Sequence, residues 1–150
     1  MKVYTEALRS GFTIIELILV VAIMLTISIM APVFYSRFLL QNAVANTVDQ
    51  LTGSLRKAQI YAMMGKQGSE WSVNFSSNTI TLYKGTSFAT RDSTFDEKFS
   101  VNSNVALSGI TDVAFARFTG SPTPSTSSIT ISSGNNSKNI TINSQGTVNK

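Results

Sequence analysis

Residue types that most often carry out chemistry are scarce in this chain. It has no His and no Cys, which excludes disulfides, Cys/His zinc sites and every His-based dyad or triad. No G-x-G-x-x-G and no P-loop cradles a phosphate. Asp92, Asp96 and Glu97 form an acidic cluster that could bind Ca²⁺. The cluster lacks the alternating oxygens and the glycine of an EF-hand, and Arg91 and Lys98 flank it, so a solvated loop is expected there. Ser and Thr crowd the last third, as befits polar strands and turns or glycan acceptors. They are not evidence for nucleophiles. Neither a cofactor nor a metal is expected. One carboxylate stands apart: Glu16 abuts a long apolar run. A charge at mid-bilayer costs about 2.5–3.5 kcal/mol, so Glu16 calls for interfacial water or a cationic partner.

The net charge of +4 is mild, and no run of Lys and Arg is longer than Arg56-Lys57. This describes a solvated basic surface and leaves open a salt-sensitive contact with nucleic acid. Arg117, Lys138 and Lys150, gathered at one tip, would be the mark of such a contact.

The element that positions Glu16 is the uncharged run of twenty residues from Leu17 to Ser36. As a helix it would span about 30 Å, the thickness of a bilayer's hydrocarbon core. A soluble domain of this size could hardly cover a helix that is apolar all round. A secretory signal peptide fits poorly too, because Glu16 abuts the run and Pro32 follows Ala31, the one small-residue exit. Lys2 and Arg9 precede the span closely, and beyond Arg37 the next cation is Arg56. The charge balance puts the N-terminus in the cytoplasm and the C-terminal bulk outside. Pro32 removes a backbone donor and is expected to bend or loosen the turn before it.

After Pro32 the pattern turns amphipathic. Val44, Val48, Leu51, Leu55, Ala58 and Ala62 recur at spacings of four and three, and Gly65 and Gly68 supply a stop. From about Ser69 to Lys150 alternation takes over. Trp71, Val73 and Phe75, then Ile80 and Leu82, Ile129 and Ile131, and Ile140 and Ile142 mark strands. Thr111–Thr119 is apolar enough for a strand covered on both faces. Asn78 and Asn135-Asn136 mark turns, and Gly120–Ser128 a loop. The expectation is an α+β chain: a long N-terminal helix packed on one antiparallel sheet of five to seven strands. Its segments are 1–11, 12–36, 37–65 and a β-rich head over 69–150.

The stretch Gly11-Phe12-Thr13-Ile14-Ile15-Glu16-Leu17, behind a basic leader and ahead of the apolar run, resembles the processing site of type IV pilins and type II secretion pseudopilins. The likeness covers about the first 35 residues. It implies a cleaved leader over 1–11, a prepilin peptidase cutting after Gly11, and N-methylation of Phe12. It also implies subunits that polymerise into a helical filament through a membrane platform and an assembly ATPase, leaving membrane lipid for an extracellular pilus or pseudopilus. Cleavage would create an ammonium four residues before Glu16. In a staggered bundle a neighbour's ammonium could neutralise that carboxylate, and the resemblance assigns Glu16 this role in assembly. Pro32 echoes the family's proline, one residue earlier than is usual, and Leu25-Thr26 replaces a glycine that many relatives have mid-span. Leu55 to Gln59 followed by Trp71-Ser72-Val73 resembles the minor pseudopilin H or fimbrial T-like branch. The expected function is that of a structural filament subunit; a minor component of a secretion or DNA-uptake system is the alternative.

Overall fold

The structure is a computed structural model that describes residues 11–76 and 78–150. Lys2 and Arg9, of the expected leader, lie outside the described residues. The chain divides into two compact units, the first ending at Arg37 and the second running Phe38–Lys150.

In the first unit, helix α1 begins at Ile14 and is helical on through Pro32. Its large apolar side chains stand exposed, from Phe12 at 83% to Tyr35 at 64%. The window of highest hydropathy in α1 is long and apolar enough to cross a membrane. Its hydroxyls are satisfied inside the helix: Thr26 Oγ1 donates to the Ile23 carbonyl at 2.8 Å and Ser28 Oγ to the Met24 carbonyl at 2.7 Å. Neither needs water, a requirement of any helix in lipid. Pro32 has no N–H to offer the Ser28 carbonyl one turn earlier.

In the second unit, α1 continues to Met63. The stripe Val44, Val48, Leu51, Leu55, Ala58 and Ala62 is buried throughout, as its period requires. The helix ends where Gly65 takes φ 61° and donates its N–H to the Ala62 carbonyl. Among the described residues nine strands follow: β1 (Trp71–Ser76), β2 (Thr79–Lys84), β3 (Asp92–Ser100), β4 (Ala106–Gly109), β5 (Asp112–Phe115), β6 (Pro122–Thr123), β7 (Ser127–Ser133), β8 (Asn136–Ile142) and β9 (Val148–Asn149).

These strands form two antiparallel sheets rather than the single sheet expected. One has the order β3-β2-β1-β5-β6 and the other β4-β7-β8-β9. Both contribute to one core with the helix stripe: Trp71, Val73, Phe75, Ile80, Leu82, Val113 and Phe115 from the first, Ile129, Ile131, Ile140 and Ile142 from the second. Each such side chain, once fully buried, contributes about 1.5–3 kcal/mol of hydrophobic stabilisation. Alternation identifies a strand's inward face but not its neighbour, so the division into two sheets had no local signal.

Three further expectations are corrected. Asp92 to Glu97 belong to the edge strand β3, not to a loop; its inward contacts come from Phe95 and Phe99, while Asp92, Ser93, Thr94, Lys98 and Ser100 are exposed and the Asp96 side chain is covered beside Arg91. The apolar stretch 111–119 is a strand over Asp112–Phe115 alone, burying Val113 and Phe115 on one face. Phe118 falls in the following turn, at φ 67° and 64% exposed. The segment 120–128 is not wholly a loop, since it holds β6 and the start of β7. The β7–β8 hairpin turns on Gly134 and Asn135, with Ser133 opposite Asn136 and Gly134 at φ 57°.

Candidate functional site

Gly11, Phe12 and Thr13 precede the helix, and each is exposed. A Cβ added at Gly11 would meet nothing within 4 Å, and its φ lies outside the left-handed region. The chain's own fold therefore places no demand for glycine there. Any such demand comes from a molecule that binds the segment. Thr13 is the N-cap of α1: its carbonyl accepts the Leu17 N–H at 3.1 Å, and its Oγ1 accepts the Glu16 N–H at 3.3 Å. Glu16 thus sits at the third helical position, in a Thr-x-x-Glu capping pattern, where the helix dipole favours an anion. This local role was legible in the spacing of Thr13 and Glu16, yet the sequence reading passed over it. Phe12 and Glu16 flank the helix start; Pro32 lies sixteen residues beyond Glu16, roughly 24 Å along the helix, and takes no part in this arrangement.

In the second unit the carboxylates of β3 are engaged one by one. Glu97 Oε2 accepts from Lys57 Nζ at 2.5 Å, which raises the Lys57 pKa above its ordinary value. Asp96 accepts from Arg91 Nε at 3.0 Å and lies 3.6 Å from Lys98 Nζ. Asp92 accepts from Thr94, which lowers its pKa. No group of three or more acidic side chains that could hold a metal occurs among the described residues.

A short strap, Gly85 to Arg91, crosses the face of the first sheet that looks away from the helix. Ser72 Oγ donates to the Gly85 carbonyl, Phe88 packs edge-on against Tyr83 at 5.6 Å, and Arg91 lies over the Phe88 ring. Tyr83 donates its hydroxyl to Asp112 at 2.9 Å. Burial raises the pKa of both groups. Beside them is a cleft of about 210 Å³ lined by Glu70, Thr86, Asp112, Ala114, Phe115, Ala116 and Thr123. It presents acceptors and hydroxyls but no activated nucleophile with its base.

The basic residues singled out from the sequence do not gather. Arg117 stacks on Phe118, whose N–H donates to the Ala62 carbonyl at the helix end. Lys138 lines a cleft with Gln41, and Lys150 pairs with Asp49. Gln41 and Ala62 are roughly 30 Å apart along the helix. The tip cluster expected of a nucleic-acid contact is not formed.

No family model and no curated protein matches the chain. Among solved structures, the minor pseudopilin EpsH from the type 2 secretion system of Vibrio cholerae is similar in fold. The match has a TM-score of 0.53 and 9% identity, covering 71% of this chain and 94% of that one. With its long N-terminal helix, buried along its second half by antiparallel sheets, the chain has the pilin fold.

Proposed function

We propose that the chain is a structural subunit of a type IV pilus-like extracellular filament. It enters the cytoplasmic membrane as a prepilin with its C-terminus outside, is cut after Gly11, and polymerises through its N-terminal helix. The observation that carries this reading is a single one: an exposed, non-helical Gly11-Phe12 junction stands immediately before a capped helix whose described apolar side chains are exposed through its first half and whose second half belongs to a pilin-fold head. A protease can bind the junction extended, because the helix begins after it. The apolar side chains of the first unit need lipid or neighbouring helices to cover them. Glu16, at the start of that helix, would receive the new ammonium of an adjacent subunit. The likeness to a minor pseudopilin favours a second reading, a minor pilin or pseudopilin of a secretion or DNA-uptake system. The fold is one of structural subunits, and no reaction is assigned to the chain. Its partners on this reading are further copies or related subunits, the prepilin peptidase, the membrane platform and its ATPase.

Mass spectrometry of sheared filaments and of membranes tests the reading. The expected mature N-terminus is Phe12, N-methylated, and Gly11→Val is expected to leave uncut precursor in the membrane without disturbing the fold. An intact Met1, or a start after Ala31, would sink it. Abundance in the main filament band would favour a major subunit, and trace amounts a minor one.

A further inference from the structure

The end of the second unit at which the chain enters it, around Phe38, differs in chemistry from the rest of that unit's surface. Phe38 and Leu39 are 58% and 48% exposed. The tip of the β7–β8 hairpin lies against this end of the helix, since a Cβ on Gly134 would stand 3.9 Å from Leu40 Cδ1. Beside the tip lies the turn Asn102–Asn104, tied to it by Ser133 Oγ donating to the Asn104 carbonyl at 2.6 Å. Asn102 lines a cleft with Leu39 and Asn42, and Asn135 and Lys138 line another with Gln41. This rim therefore combines two apolar side chains, several amides and one ammonium.

The carboxylates of the unit lie elsewhere. Asp49 is eleven residues beyond Phe38, roughly 16 Å along the helix, and is paired with Lys150. Glu97 is held by Lys57, roughly 28 Å beyond Phe38. Asp92 and Asp96 precede Glu97 on a strand that runs towards Ser100 at the Leu39 cleft. Asp112 is held by Tyr83, and Glu70 follows the end of the helix. Phe38 is also the second residue after the uncharged run 17–36. Consecutive Cα atoms are about 3.8 Å apart, so Phe38 stays within about 8 Å of the end of the apolar span, whatever the angle between the two units.

We infer that this end of the second unit rests on the anionic phospholipid headgroups of the membrane. Phe38 and Leu39 sit at headgroup level, and Lys138 with the amides of Asn102 and Asn135 faces the phosphates. The inference rests on the membrane-anchored reading above. The absence of Cys makes single-site labelling direct. The full chain, as Asn102→Cys, Asn135→Cys or Phe118→Cys, is spin-labelled and reconstituted in vesicles of phosphatidylglycerol and phosphatidylethanolamine. Phe118 is the reference, because its backbone is bonded to Ala62, roughly 36 Å along the helix from Phe38.

Alkaline washing comes first: release of the chain from the vesicles overturns the anchor and this inference together. With the chain retained, the labels at 102 and 135 are expected to be severalfold less accessible to a water-soluble nickel chelate than the label at 118, and more accessible to oxygen. Equal accessibility at the three positions overturns the inference and leaves the anchor standing. Lys138→Glu is expected to raise nickel accessibility at 135 at least twofold in the anionic vesicles, and to leave it unchanged in phosphatidylcholine. The same response in both lipids overturns the anionic headgroup as the partner.

Discussion

Thr13 and Glu16 close the first turn of α1 through a side-chain bond, and that bond changes what a substitution at Glu16 reports. Valine would remove the charge and a favoured capping residue at once. Glutamine keeps the Thr-x-x-Gln capping pattern while removing the charge, so it separates helix initiation from charge pairing. Glu16→Gln is expected to be inserted and cleaved normally, and to lower the yield of sheared filaments at least tenfold in cells without wild-type subunits. Immunoblots of the filament fraction measure this. Wild-type yield would leave Glu16 a capping residue and no more. The roles expected of Gly11, Phe12 and Glu16 rest on a resemblance alone, whereas the cap needed Thr13, a residue with no chemistry of its own to draw the eye.

Among the elements, α1 was the most legible, because six apolar residues at helical spacing leave one consistent face. Strands β1, β2, β7 and β8 were legible for the parallel reason at period two. Strands β4, β6 and β9 were not. They are four, two and two residues long, too short to show a period, and their neighbours hold them in place. Strand β3 was hidden differently: an edge strand is held by backbone bonds on one side, so its side chains stay as polar as a loop's. Gly109 marks where the chain passes from the second sheet back to the first. Its φ is 106°, and a Cβ there would stand 2.4 Å from the Ser128 carbonyl oxygen. Both the conformation and the contact reject a side chain. Gly109→Ala is expected to cost about 2–4 kcal/mol, seen as a Tm lower by about 10 °C in thermal unfolding followed by circular dichroism. A Tm within 2 °C of wild type would mean that the β4–β7 junction relaxes freely.

At the scale of the whole molecule the two units differ in what they bury. Every buried apolar side chain of the core lies at Val44 or beyond, while the large apolar side chains of the first unit are exposed. A fragment beginning at Phe38 carries that core complete, and it is expected to be a soluble, folded monomer by sedimentation velocity and circular dichroism. Aggregation or a disordered spectrum would show that the helix stripe depends on partner subunits. On the proposed reading, heads held on a membrane before assembly would bring the edge of β3 close to other copies at high surface density. An open edge of nine residues can template sheet growth from one molecule to the next, the first step towards amyloid-like deposits. The exposed charges Asp92 and Lys98 along that edge would each meet their like in any in-register stack of identical strands. On the proposed filament reading, the charges along that edge would keep a stored pool of subunits from pairing through the wrong surface.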